Sequence, residues 1–349
     1  MSGLVKSNVP IAGRYIVILK PTFRLSSASL AALNETKAIE VFASGFAGVR
    51  EMKTLKGGFV ALADSKTVLE LVAHPHVQYV QEDGVKKINE TWGLDRVDQR
   101  NLPLDNTYTP GSDGAGIHVY IIDTGLDEGN AEFKGRVGEG WSVFGGSPFD
   151  GHGHGTHVAG TIAGTKWGVA KGATVHGVRV LNAQGSGSDS DVIRGLDWVT
   201  AHVRTHGWAA VANMSLGGGI SPALDEAVCR SLDAGVQYGI AAGNDNLNAC
   251  NASPARVAQA ITVGASDSRD NAAVFSNDGP CVDLYAPGVD IQSIGGAMSG
   301  TSMAAPHVTG GAALCLARHP GNAEAVHACV VNMATPAKVD GGRLLFVKE

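Results

Sequence analysis

Apolar residues fall in short runs along this chain, and their spacing changes near residue 90. In the first part, "RYIVILK", "GGFVALA" and "VQYVQED" have the length and composition of strands, the second following a Gly-Gly turn. Between them, "SLAALNETKAIEVFAS" carries apolar residues at helical spacing, and "SKTVLELVAHP" reads as a second helix with a serine N-cap. The order β-α-β-α-β predicts a small α+β unit. "DGVKKINET" comes next, polar and breaker-rich, and reads as a linker. From Trp92 onward, short apolar strands ending in glycine alternate with helical stretches, through "GIHVYIIDTG", "HVAGTIAG", "ATVHGVRVL", "DVIRGLDWVTAHV", "AAVANMSLGGG", "ALDEAVCRSLDAG", "VQYGIAAGN", "AITVGAS" and "SMAAPHVTGGAALCLARH". That alternation predicts an α/β fold, a parallel sheet covered by helices on both faces. Functional groups in such sheets gather at the carboxyl ends of the strands.

Bulk composition narrows the field. The 349 residues suit one large domain plus a smaller one, and 44% apolar residues suffice for a proper core. Glycine is high, 47 of 349, as in folds with many tight turns. With a net charge of −6 and no Lys/Arg run, no nucleic-acid partner is expected. No apolar run reaches the ~18 residues of a bilayer span, so no membrane partner is expected either. The N-terminal apolar core, Tyr15 to Leu19, is too short for a signal peptide, so a leader has been trimmed or the protein is not secreted. Cys229, Cys250, Cys281, Cys315 and Cys329 form no C-x-x-C pair, which argues against zinc ribbons and thioredoxin-like redox sites.

Three residues at element boundaries carry candidate chemistry. Asp123 follows "VYII" at a strand's carboxyl end, His154 lies where glycines lead into a helix, and Ser302 opens an apolar helix. Singly they read as a turn aspartate, a structural histidine and an N-cap serine. Together they supply what acyl transfer needs. A serine hydroxyl is a weak nucleophile until a base takes its proton, imidazole titrates in the right range, and a carboxylate fixes its tautomer. Donors for the developing oxyanion are worth about 3 kcal/mol each. Asn244, at another strand end, is a candidate donor, with the backbone N–H of Ser302 as the second.

"VYIIDTG", "GHGTHVAGTIAG", "NMSLGGG", "AAGN" and "SGTSMAAPHV" resemble the signatures of subtilisin-like serine proteases, with Asp, His and Ser in subtilisin's chain order. "TWGLDRVDQRNLPL", "GVAKGATV", "RVLNAQGSGS", "GLDWV", "AAGNDNLNACNASPARV" and "CVDLYAPG" are similar to the aqualysin-like proteases of the proteinase K branch. The resemblance covers Trp92 to about Ala317, and the first ninety residues resemble the ferredoxin-like inhibitory propeptide of the same proteases. It implies a propeptide domain over 1–88 and a peptidase domain over 89–349, with the chain cut between Asp83 and Asn89. It implies Ser302 as nucleophile, His154 as general base and acid, Asp123 as orienting carboxylate, and Asn244 in the oxyanion hole. Gly185, Ser186 and Gly187, with Ser215, Leu216, Gly217 and Gly218, resemble the two edges that hold the substrate as an added strand. Ala241, Ala242 and Gly243 resemble the walls of a primary pocket for aliphatic or aromatic residues.

Partners implied are polypeptide substrates and the chain's own propeptide as inhibitor, and a monomer is expected. Asp283, with carbonyls near Ala258 and Ala260, aligns with a calcium site of proteinase K; Asp95, Asp98 and Gln99 resemble a second one of the aqualysin branch. Cys250 and Cys281 match a disulfide of that branch, while another common bridge is absent because its positions hold Gly151 and Ala183. Cys315 and Cys329 flank the turn "HPGN" and can pair, leaving Cys229 free. Disulfides point to an oxidising compartment, hence to a secreted protein. Asn34, Asn89 and Asn251 lie in glycosylation-type sequons. Two rival readings are a catalytically silent, subtilase-shaped binding protein and a zinc site at His152, His154 and His157. The second lacks the carboxylate base of H-E-x-x-H, and helical spacing turns His157 inward.

Overall fold

The computed structural model describes residues 3–7, 10–20, 47–52, 58–84 and 91–348. The chain divides into two compact units, Met1–Ile88 and Asn89–Glu349. In the first, β1 (Leu4–Val5), β2 (Pro10–Leu19), β3 (Ala47–Met52), β4 (Gly58–Leu62) and β5 (Val77–Gly84) form one sheet in the order β1-β5-β2-β4-β3, with helix α1 at Ser65–Ala73. Val17 and Leu19 of β2, Phe59 and Ala61 of β4, and Val77 and Val80 of β5 meet Leu71 of α1 in its core.

Three expectations are corrected in this unit. Asp64, not Ser65, caps α1: its carboxylate accepts from the Thr67 N–H at 2.8 Å, and Ser65 falls in the first turn. Strands β1 and β3 were not foreseen. Strand β5, expected to end at Asp83, runs on to Gly84, which pairs with Pro10; Asp83 forms an ion pair with Arg14 at 2.7 Å. The helix expected at 29–44 lies outside the described residues, as do residues 85–90.

The second unit starts with a short helix, α2 (Trp92–Val97), that the apolar pattern did not show. Its strands are β6 (His118–Asp123), β7 (Trp141–Ser142), β8 (Thr174–Arg179), β9 (Ala210–Met214), β10 (Gln237–Ala241), β11 (Ile261–Ser266) and β12 (Leu284–Pro287), the small hairpin β13 (Ile291–Ser293) and β14 (Gly296–Met298), and β15 (Thr335–Val339) and β16 (Gly342–Leu344). Helices α3 (His154–Ala163), α4 (Asp189–His206), α5 (Pro222–Asp233), α6 (Thr301–Arg318) and α7 (Ala323–Met333) lie between them. The large sheet runs β15-β16-β12-β11-β10-β9-β6-β8-β7, and every pairing in it is parallel except β15 with β16. From β6 the chain first goes to β7 and β8 on one side and then crosses back to β9 on the other. The carboxyl end of β6 is therefore the crevice where connections part, the place such sheets use for function.

Both faces are covered, which explains the continuous apolar strands. Val119 and Ile121 of β6 pack into a core shared with α3 and α6, while Tyr120 and Ile122 pack into one shared with α4 and α5. Helix α6 is buried almost all round, so it is threaded through the core rather than laid on it. Cys250 and Cys281 form a disulfide (Cα–Cα 5.4 Å), a second joins Cys315 of α6 to Cys329 of α7 (6.2 Å), and Cys229 is free. Among the described residues no helix is long and apolar enough to cross a membrane.

At the amino ends of β6 and β8, opposite the crevice, lies a layer of imidazoles and indoles. His176 donates from Nδ1 to the Glu139 carbonyl (2.8 Å), so its Nε2 accepts from His118 Nδ1 (2.8 Å). Tyr120 Oη bonds His202 Nδ1 (3.0 Å), and Trp208 stacks between His118 and His206, with centroids 3.8 and 4.1 Å away. Protonating His176 would set two N–H donors against each other. Burial pushes His176 down to about 4 and lowers His118 and His202. Imidazoles with depressed folded-state pKa values give stability that is complete above about pH 6.5 and lost as pH falls toward 4. His176 alone accounts for about 3 kcal/mol by pH 4. Calorimetry from pH 7 to 4.5 is expected to show a falling melting temperature, with a shallower fall in His176→Gln.

Candidate active site

The crevice is assembled from a strand end and two helix starts. Asp123 is the last residue of β6 and is wholly buried. His154 is the first residue of α3, after Gly153 with φ 98°, a left-handed conformation that suits glycine at this N-cap. His154 Nδ1 donates to Asp123 Oδ1 at 2.7 Å, and the same oxygen accepts from the Thr124 N–H at 2.7 Å. The Asp123 charge, opposed by burial, raises the His154 pKa above its ordinary value; Asp150 adds to the rise. The strand end and the helix approach so closely that a Cβ on Gly155 would stand 2.3 Å from the Gly125 carbonyl oxygen.

Asp150 locks this geometry, and sequence reading missed it. Its Oδ1 accepts from the N–H groups of His152 (2.9 Å) and Gly153 (2.8 Å) and from Thr124 Oγ1 (2.9 Å). Its Oδ2 accepts from Thr156 N (2.8 Å) and Oγ1 (2.6 Å), while Thr124 Oγ1 in turn accepts from Gly155 N (2.9 Å). The donors are mostly backbone N–H groups, which leave no side-chain pattern to read.

Ser302 is the second residue of α6, whose N-cap is Gly300, so Ser302 does not occupy the capping position. Ser302 Oγ donates to the Ser215 carbonyl (3.2 Å), and Ser215 Oγ donates to the Ser302 carbonyl (2.8 Å). Ser215 Oγ also accepts from Asn213 of β9 (2.9 Å), so its side chain braces the helix start. Asn244 Oδ1 accepts from Thr301 N (2.8 Å) and Oγ1 (3.0 Å). With its oxygen so used, the amide nitrogen is the group left to donate on the Ser302 side. The loop carrying it is held by Asn277, unforeseen in the sequence, which donates to Ala242 O and accepts from Asp245 N and Leu247 N.

Two cavities adjoin these residues, the first at the start of α6 and the second at His154. One, of about 280 Å³, is lined by Ala241, Ala242, Gly243, Asn244 and Ser302. The other, of about 500 Å³, is lined by His152, His154 and the exposed Gly185, Ser186 and Gly187. Both share Leu216, Gly217 and Gly218. The three neighbouring histidines diverge: His157 is buried, its Nε2 facing the carbonyls of Ile291 and Gly296 at 3.1 Å each. His152 is exposed on the larger cavity.

The subtilase family's sequence profile matches residues 114–346, the span that builds both cavities. The chain belongs to the subtilase family. This subtilase is 47% identical over 364 residues to an "Extracellular serine proteinase" of Thermus sp., covering 96% of this chain and 85% of the relative. It is 42% identical to "Alkaline serine exoprotease A" of Vibrio alginolyticus, over 97% of this chain and 67% of the relative. Among solved structures, a cold adapted subtilisin-like serine proteinase matches with TM-score 0.72 and 46% identity, over 75% of this chain and 100% of the other. The subtilase is thus a serine endopeptidase with the subtilisin-like fold, and its substrates are polypeptides.

Among the described residues no group of three or more His, Cys, Asp or Glu is arranged to hold a metal ion. Asp283 Oδ2 accepts from Thr262 N (2.8 Å), its Oδ1 lies 3.6 Å from His327 Nε2, and the backbone at Ala258 and Ala260 is near in sequence to that pairing. Asp95 accepts from the N–H groups of Asp105 (3.1 Å) and Asn106 (2.8 Å), Asp98 from Thr109 N (2.8 Å), and Gln99 Oε1 from Asp105 N (3.2 Å). The Asp95 carboxyl is raised first by burial and further by Asp105 and Asp98, an excess of negative charge that a cation would relieve.

Replacing Asp150 by asparagine turns acceptors toward Thr156 into donors. We expect Asp150→Asn to lose about 1–3 kcal/mol in urea unfolding. The His154 pKa, followed by NMR, is expected to fall, because a charge that raises it is gone.

Proposed function

We propose that Ser302, His154, Asp123 and Asn244 carry out peptide-bond hydrolysis through an acyl-enzyme. The reading rests above all on the buried contact between Asp123 and His154 Nδ1, which leaves Nε2 as the proton acceptor. Among the described residues no hydrogen bond joins Ser302 to His154, so the hydroxyl first turns from the Ser215 carbonyl to Nε2. His154 then takes the Ser302 proton as Oγ attacks the scissile carbonyl, and later gives it to the leaving amine. The oxyanion is met by the Asn244 amide and the Ser302 N–H, both fixed before the reaction begins. Water repeats the sequence on the acyl-enzyme, with His154 again as base.

The substrate lies extended between Gly185–Ser186–Gly187 and Ser215–Leu216–Gly217–Gly218, bound through its main chain. The walls Ala241, Ala242 and Gly243 are small and uncharged, which supports a preference for aliphatic or aromatic side chains in the 280 Å³ cavity. Residues 1–88 act as a propeptide that assists folding and holds activity back until a cut between Asp83 and Asn89 releases it. The protein is secreted, which the two disulfides support, and works as a monomer. Structural calcium belongs to the same reading, held by Asp95, Asp98 and Gln99, and by Asp283 with the carbonyls of Ala258 and Ala260.

A fluorophosphonate probe is expected to label the processed protein on Ser302 and to leave Ser302→Ala unlabelled. Absence of label on the wild type would favour the silent binding protein. Asn244→Ala is expected to lower kcat by about 10²–10³-fold with labelling retained at a slower rate. Adding a strong calcium chelator is expected to lower the melting temperature by about 5 °C or more, and restoring calcium to reverse it.

A further inference from the structure

The larger cavity has a charge at its rim that the reaction itself does not use. Its floor is apolar: Leu181, Val192 and Leu224 are buried, and Leu216 closes it toward the smaller cavity. Its rim carries Asp189, exposed, at the first helical position of α4 after the N-cap Ser188. The neighbouring acidic residue Asp191 is used within the helix start, where Ser188 Oγ donates to it at 2.7 Å. Among the described residues Asp189 has no such hydrogen bond and no ion pair. A carboxylate at a helix start also favours the helix electrostatically, but that role does not require it to border an apolar groove.

An extended peptide connects the two cavities in a fixed way. Successive side chains of a strand point to opposite faces, about 3.3 Å apart along it. Both cavities share Leu216, Gly217 and Gly218, so a chain laid along that edge drops alternate side chains into one and the other. The residue that donates the acyl group takes the cavity beside Ser302. The second and fourth residues back from the cleaved bond then face the larger one, about 7 Å apart. The second meets its His152–His154 end, and the fourth meets the floor of Leu181, Val192 and Leu224 under Asp189.

We propose that Asp189 makes this protease prefer lysine or arginine at the fourth residue back from the cleaved bond. This inference rests on the substrate path of the preceding subsection. The methylene stem of such a side chain covers the apolar floor while its charged end reaches the carboxylate at the rim, as long basic side chains do over apolar surface. A glutamate there meets repulsion instead. The pair is exposed, so the effect is modest and screened by salt.

The test uses the purified, self-processed protein at pH 8. Substrates are acyl-X-Ala-Ala-Phe p-nitroanilides with X lysine, leucine or glutamate. At low ionic strength, kcat/KM for lysine is expected to exceed that for glutamate by about three- to tenfold, shrinking toward one in 1 M NaCl. Asp189→Asn is expected to bring the ratio to about one, and Asp189→Lys to invert it. Asp197→Asn, exposed on the same helix outside this cavity, is expected to keep the wild-type ratio. A ratio near one in the wild type, or one unchanged in Asp189→Asn, overturns the inference. If the leucine peptide is not cleaved by the wild type, the proposed substrate path falls, and this inference with it.

Discussion

A fully buried carboxylate is the constraint around which the crevice end of this protein is built. Taking the Asp123 charge out of water costs several kcal/mol unless close partners replace the lost hydration. They do so at one oxygen, Oδ1, on which the His154 ring and the Thr124 N–H converge at 2.7 Å each, while Oδ2 is buried with no hydrogen-bond partner among the described residues. The partners cannot be loose, because a carboxylate in a low-dielectric site gains little from donors that wander. Asp150 removes that freedom. By gathering the N–H groups of His152, Gly153 and Thr156 and the Thr124 hydroxyl, it fixes the loop that delivers His154 and the turn that carries Asp123. Two carboxylates divide the labour, one facing the imidazole and one holding the backbone that aims it.

The sheet makes such a site affordable in geometric terms. With helices on both faces, β6 and its neighbours are mostly apolar, with buried exceptions such as His176 of β8 and Asn213 of β9 that are hydrogen-bonded. Asp123 ends β6 and Asn244 follows the end of β10, while His154 and Ser302 open helices on the same crevice. Helix α6 adds stiffness: buried along its length, it is tied to β9 through Thr309 and Asn213 (2.8 Å) and, at its start, through Ser215. The far end of the sheet shows the converse use of polar groups. There His118, His176 and His202 are woven into the layer as neutral rings, and the arrangement holds only while they stay neutral.

How much of this was legible follows from what each residue does. Asp123, His154, Asn244 and Ser302 stand out because each ends or begins an apolar run beside glycine, which marks an element boundary in one dimension. The parallel sheet was legible for the same reason. Asp150 and Asn277 were not, since their partners are backbone amides and carbonyls, whose positions exist only after folding. Taken singly, Ser302 reads as a cap because a serine at a helix start is so often one; the cap is Gly300, two residues earlier. Strands Thr335–Val339 and Gly342–Leu344 escaped notice because "TPAKV" and "GRL" lack an apolar run, and their pairing with each other and with β12 comes from the tertiary fold.

The stretch "GHGHGTHVAG" shows how little a residue type determines by itself. Its three histidines share one loop and one helix start, yet the structure separates them by what lies opposite. His154 faces a buried carboxylate, which raises its pKa against the opposing effect of burial. His157, one turn on, faces two carbonyls in the core, and there burial wins and its pKa falls. Carbonyl dipoles do not offset burial as a full charge does. His152 faces solvent across the groove, its ring centroid 6.2 Å from that of His154. A zinc cradle would need the three nitrogens to converge on a point, and these rings diverge because each answers to a different partner. Basicity in this site is therefore set across the fold, by Asp123 from another strand, and not by the spacing within the motif.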